Sequence, residues 1–169
     1  MEKLPLKPRF FFHNARRLFE SEPATQGPSA LNAGPESSGP PGHEILPGGL
    51  IRKSWGQWDW PLVMSTPERA ILELLDELPG RESFHQVDML MESLSSLSPK
   101  RMQRLLFDCR SIKVKRLFFW FADRHQHAWL KRIDRTQISL GKGKRMIVRG
   151  GKLDAAYQIT VPEDLYGDG

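Results

Sequence analysis

The sequence predicts an α+β protein, a four-helix cluster packed on a small, mostly antiparallel sheet. Three observations carry that expectation. Between Ser65 and His125 apolar residues return every third or fourth position in four successive stretches, the period of a helix with one buried face. After Trp129 the period falls to two and glycine pairs punctuate the chain, as in short strands joined by turns. Finally, 169 residues with 39% apolar content supply one ordinary core, and the long polar stretches leave too little for a second.

Residues 1–21 are read as a short strand or hairpin segment, in which Phe10-Phe11-Phe12 and Leu18-Phe19 pack back on the domain. Residues 22–49 are read as a linker or disordered loop. They are rich in Pro, Gly, Ser and Ala, with Gly39-Pro40-Pro41-Gly42 near the centre, and such a segment buries too little to offset the entropy of ordering it. The domain proper spans 50–163, and 164–169 form a tail. In Leu50 to Met64, Trp58 and Trp60 alternate with Asp59 as in a half-buried strand, and Pro61 interrupts the run. Core packing of Trp55, Trp58 and Trp60 is the stronger reading. An exposed platform on which bases stack is the other.

The first helix starts at Ser65-Thr66-Pro67-Glu68, with a hydroxyl residue at the cap, proline at the first helical position and an acid at the positive end of the dipole. Its stripe is Ala70, Ile71, Leu74, Leu75 and Leu78, its outer side carries Glu73, Asp76 and Glu77, and Pro79-Gly80 stops it. A second helix follows over about Phe84 to Leu94, using Phe84, Val87, Leu90, Met91 and Leu94. Ser98-Pro99 opens the third, which buries Met102, Leu105, Leu106 and Cys109, so that Cys109 reads as a small core residue and not as a nucleophile.

The fourth helix, about Ile112 to His125, separates into two faces at 100° per residue. Val114, Leu117, Phe118, Phe121 and His125 gather on one side. Lys113, Arg116, Trp120, Arg124 and His127 gather on another, a basic stripe with an aromatic set into it, suited to phosphates and to bases or sugars. Long basic side chains also cover apolar neighbours without binding anything. Strands are then expected at Ile138 to Leu140, Met146 to Val148 and Tyr157 to Val161, with turns at Gly141-Lys142-Gly143-Lys144 and Gly150-Gly151. The tryptophan-bearing strand is a candidate to join the same sheet.

The net charge of +5 hides an asymmetry. Lys100 to Lys152 holds sixteen Lys and Arg against Asp108, Asp123 and Asp134, the footprint of a surface that meets nucleic acid, nucleotides or an acidic partner. Gly141 to Arg145 lacks the spacing and the strand-to-helix setting of a phosphate-binding P-loop, yet with Arg149 and Lys152 it forms a candidate anion-binding turn. His125 and His127, two apart on a helix, face different ways, and no cofactor or metal is expected. No nucleophile and base pair is recognisable, so nothing argues for an enzyme. With a single cysteine, no secretory leader and no long apolar span, the expected setting is cytoplasmic, without a membrane.

Three blocks carry a family resemblance: Ser65-Thr66-Pro67-Glu68-Arg69-Ala70-Ile71-Leu72-Glu73, then Ser111-Ile112-Lys113-Val114-Lys115-Arg116-Leu117-Phe118, then Ile138 to Asp154 followed by Tyr157-Gln158-Ile159-Thr160-Val161-Pro162. In order and spacing, Met64 to Pro162 resembles the C-terminal region of AbiEi antitoxins of type IV toxin-antitoxin systems. The resemblance implies a bacterial antitoxin that counters a nucleotidyltransferase-like toxin without needing a stable complex with it, and that often represses its own operon. Repression in that family uses an N-terminal winged helix-turn-helix. The first 60 residues contain no pair of capped amphipathic helices, so this chain is expected to lack that domain, and antitoxicity is the function carried over. The expected working surface, for nucleic acid or phosphate, is Lys113, Arg116, Trp120 and Arg124 with Lys142, Lys144, Arg145, Arg149 and Lys152. Two alternatives stand beside this reading: a general basic nucleic-acid-binding accessory domain with no toxin partner, and an inactive remnant of a longer gene.

Overall fold

The computed structural model describes residues 17–20 and 43–166. Phe10 to Phe12 and most of the expected linker lie outside the described residues. The order is β1 (His43–Leu46), β2 (Leu50–Trp55), β3 (Trp60–Ser65), α1 (Pro67–Asp76), α2 (Phe84–Ser93), α3 (Pro99–Asp108) and α4 (Ile112–His125). Two 3-10 turns, Ala128–Arg132 and Arg135–Gln137, lead to β4 (Lys152–Asp154) and β5 (Ile159–Val161). None of the described helices is long and apolar enough to cross a membrane.

The architecture is α+β, with four helices and two small antiparallel sheets, β1-β2-β3 and β4-β5. The tryptophan strand does not join the C-terminal sheet. It pairs with β2 as a hairpin, and β2 pairs with β1, so the first sheet begins inside the segment read as linker. Gly48 and Gly49 permit this, both at φ 73°, a conformation that costs glycine little. A Cβ on Gly49 would lie 3.0 Å from Leu105 and 3.2 Å from Cβ of Arg69, so the β1-β2 turn is pressed against α1 and α3.

α4 runs through the centre. Leu117, Phe118, Phe119, Phe121 and Ala122 are all but inaccessible, and Phe118 packs edge-on against Phe119 and tilted against Trp129. α1 contributes Ile71, Leu72 and Leu75, α2 Phe84, Val87 and Met91, and α3 Met102, Leu105 and Leu106, each set at helical spacing. Of the residues expected on these stripes Ala70 and Leu90 are exposed, whereas Leu72, outside the expected stripe, is buried. Ser83, Ser98 and Ser111 cap α2, α3 and α4 by accepting backbone N–H groups. Thr66 holds the cap position of α1, but its buried hydroxyl has no hydrogen-bond partner among the described residues.

Leu18 and Phe19 do pack back on the domain. They are buried, the Glu20 N–H donates to the Asp108 carbonyl, the Arg110 N–H donates to Leu18, and the Arg69 guanidinium lies 4.4 Å from the Phe19 ring centre. Of the tail read as 164–169, the described residues 164–166 return to the core through buried Leu165.

Glu68 does more than the sequence reading assigned to it, and the expected burial of the tryptophans fails. Glu68 is buried, accepting from the Ser98 N–H at 2.7 Å and from Arg101 at 3.0 Å. Burial alone would raise its pKa, but those hydrogen bonds and the Arg101 charge hold it below the usual glutamate value. It ties α1 to α3 in addition to facing the α1 dipole. Trp55, Trp58 and Trp60 are 64%, 81% and 69% exposed. Trp55 ends β2, Trp60 begins β3 and Trp58 lies in the turn between them, with Asp59 at φ 48°, so the expected alternation of Trp58 and Trp60 about Asp59 does not form and the rings stand in solvent at the hairpin tip.

Candidate functional site

The expected cations divide into two sets with different fates. Those of α4 turn inward. Lys113 donates to the carbonyls of Asp76 and Leu78 at 2.6 and 2.9 Å and lies 3.6 Å from the Asp76 carboxylate, closing the C-terminus of α1. Arg116, 3% exposed, donates to the carbonyls of Leu140, Gly143 and Gln158. Trp120 is buried against Phe84 and Phe121. Arg124 pairs with Asp88 and donates to the Leu165 carbonyl at 2.7 Å. The basic stripe read from the helix period is therefore internal wiring. A helical wheel shows which side chains share a face, but the neighbours that cover the face come from distant sequence.

The second set is exposed. Lys142, Lys144, Arg145, Arg149 and Lys152 project from the 141–152 segment, and among the described residues no ion pair engages the first four. Lys152 Nζ sits 4.1 Å from the centre of the Tyr166 ring, an attraction that leaves the charge in place.

This segment is a clamped loop. The strands expected at Ile138 to Leu140 and Met146 to Val148 do not form; several of the backbone groups that a ladder would use are taken by side chains instead. Arg116 takes the carbonyls of Leu140 and Gly143. Thr160 Oγ1 accepts from the N–H groups of Ile147 and Val148 and donates to the Val148 carbonyl. Arg145 exchanges backbone bonds with the β5 region, donating to Gln158 and accepting from Thr160. Gly151 lies so close to β5 that a Cβ would stand 2.3 Å from the Val161 carbonyl oxygen. The loop thus presents its cations from a backbone held at several points.

Arg116 also contributes charge. Its described partners are carbonyl oxygens, and burial, followed by the neighbouring Arg145 charge, pushes its pKa down from the usual arginine value. A guanidinium remains protonated under such pressure, so Arg116 keeps its charge beneath the loop and feels that of Arg145. An anion bound there would relieve a repulsion already present.

A neighbouring cluster braces the same region. Arg135 forks onto the Asp123 carboxylate and donates to the Tyr157 hydroxyl, which donates to Asp123. Burial and then the Asp123 contact raise the Tyr157 pKa. Stacking of Tyr157 on Phe119 anchors the turn before β5 to α4. Neither this cluster nor the role of Thr160 was legible in the sequence, since each joins residues more than ten positions apart and carries no period.

Groups considered for catalysis or metal binding are occupied otherwise. Cys109 is buried, and burial pushes its thiol up to about 11, far from the range of a reactive thiolate. His125 contacts Asp88 while His127 contacts the Met91 carbonyl. Among the described residues no group of three or more His, Cys, Asp or Glu side chains is placed to hold a metal ion.

Comparison with known proteins gives one family match. The model of a family described as "Transcriptional regulator, AbiEi antitoxin, Type IV TA system" matches residues 57–162, well over half of the chain and including the helices, the clamped loop and β5. No curated protein and no solved structure matches.

Proposed function

The chain belongs to the AbiEi antitoxin family of type IV toxin-antitoxin systems, and from that premise we propose that it neutralises a nucleotidyltransferase-like toxin in the bacterial cytoplasm through the cations of the 141–152 loop. What supports the reading is one arrangement: Lys142, Lys144, Arg145, Arg149 and Lys152 are all exposed on a loop that buried Arg116 clamps from below. Arginine forks and lysine ammonium groups on a fixed backbone suit phosphate oxygens. The side chains of Lys113, Arg116, Trp120 and Arg124 serve at second hand, by holding the platform.

The target chemistry is phosphate, carried by nucleic acid or by a nucleotide on which the toxin acts. The antitoxin then meets the toxin's substrate and needs no lasting complex with the toxin, so the two are expected not to co-purify. The role is non-catalytic and belongs to abortive infection as a phage defence. Growth rescue on co-expression with the toxin tests the proposal. The R145A/R149A/K152A variant is expected to fold, with a thermal melt like that of the parent, and to lose protection; full rescue by the folded triple variant rules the surface out.

A further inference from the structure

The β2-β3 hairpin carries surface that the 141–152 loop does not explain. In the antiparallel register Ile51 faces Met64, Lys53 faces Leu62 and Trp55 faces Trp60. Because side chains alternate along a strand, these six share one face. Trp55, Trp60, Leu62 and Met64 are 64%, 69%, 41% and 38% exposed, and Trp58 in the turn is 81% exposed. Solvent-facing tryptophans at this density mark an interaction site.

Charge identifies the occupant. On the opposite face Arg52 is neutralised by Glu44 from β1. Among those six side chains Lys53 is the only charged one, and no described residue pairs with it. A second copy docked by the same face about a two-fold axis would bring its own Lys53 toward this one, with no acid among the six side chains to answer either; the hairpin's one carboxylate, Asp59, is exposed in the turn beside Trp58. What suits three flat rings and an unanswered cation is a chain of flat rings linked by anions. We propose that the hairpin is a stacking platform for single-stranded nucleic acid, with Trp55 and Trp60 receiving bases side by side, Trp58 extending the track at the tip, and Lys53 meeting the backbone phosphate one step inward. An unpaired strand is required because bases within a duplex offer their edges, not their faces. This site is separate from the phosphate-binding loop and does not depend on it.

The test is titration of the full chain with fluorescein-labelled single-stranded oligo(dT) and oligo(U), and with a duplex of equal length, read by anisotropy and by tryptophan emission. The protein is expected to favour the single strands and to lose emission on binding, since Trp120 and Trp129 are buried and the quenched rings are those of the hairpin. W55A/W60A is expected to bind at least tenfold more weakly, within the range for loss of a stacked base, with an unchanged thermal melt because both rings are exposed. W55F/W60F retains most of the affinity. K53Q lowers the slope of log affinity against log salt by about 0.7, the loss of one phosphate contact on a single strand. R145A/R149A/K152A keeps the tryptophan quench. The proposal is overturned if the parent prefers the duplex or binds neither strand, or if W55A/W60A binds as tightly as the parent. It is equally overturned if the tryptophan substitutions alter only self-association in sedimentation, or only capture of the toxin protein.

Discussion

At the scale of single residues, position in the fold outweighs chemical type. Arg116 and Arg145 are both arginines of a basic block, yet one is a buried clamp and the other an exposed charge. Replacing Arg116 by Met is expected to lower the unfolding free energy by about 2–4 kcal/mol in urea denaturation, because hydrogen bonds from a charged group contribute roughly 1.5–3 kcal/mol each and freed loop carbonyls regain some water. R116K should recover less than half of that, since a single ammonium cannot span three carbonyls held by a planar fork. If R116M unfolds like the parent, the clamp is not what fixes the loop. Alanine at Arg145 or Arg149 should leave stability unchanged to within about 0.5 kcal/mol, as is usual for exposed sites.

At the scale of elements, the helices follow their periods and the C-terminal segment does not. Capping serines, prolines and apolar stripes specify α1 to α4 within a few residues, since each signal is local. Between Ile138 and Val148 the alternation is equally visible, yet the backbone is taken up by Arg116 and Thr160. Glycines report the resulting crowding. G151A must displace the Val161 carbonyl and is expected to cost about 1–3 kcal/mol, the range for forced overpacking, and to speed proteolysis of the 142–150 stretch. Gly143 has open space but φ 80°, so G143A should cost only about 1–2 kcal/mol through backbone strain while leaving the loop protected. Equal protease sensitivity in the two variants would show that contact with β5 does not order the loop.

At the scale of the whole molecule, two carboxylates join elements far apart in sequence, Glu68 between α1 and α3 and Asp123 between α4 and the Arg135-Tyr157 cluster. At each, burial acts to raise the pKa and is outweighed by hydrogen bonds, from Ser98 and Arg101 at Glu68 and from Arg135 and Tyr157 at Asp123, so both stay below their usual values of 4.5 and 3.8. A carboxylate with a depressed folded pKa stabilises fully above its unfolded value and loses that contribution as pH falls through the folded one. Melting temperature should therefore be level from neutral pH to about 5 and fall steeply below about 4, with E68Q flattening part of the fall; an acid limb unchanged in E68Q would remove Glu68 from the account. The sequence by itself determined the α+β class, the four helices, much of the apolar surface that α1 to α3 bury, and the charge asymmetry of the basic block, because periodicity, caps and composition are properties of neighbouring residues. It also carried the family, through three blocks whose order and spacing need no coordinates. Only the tertiary structure decided which basic residues reach solvent, which strands pair and where the tryptophans point. A side chain becomes buried or exposed through contacts with segments tens of residues away, and no local period records them.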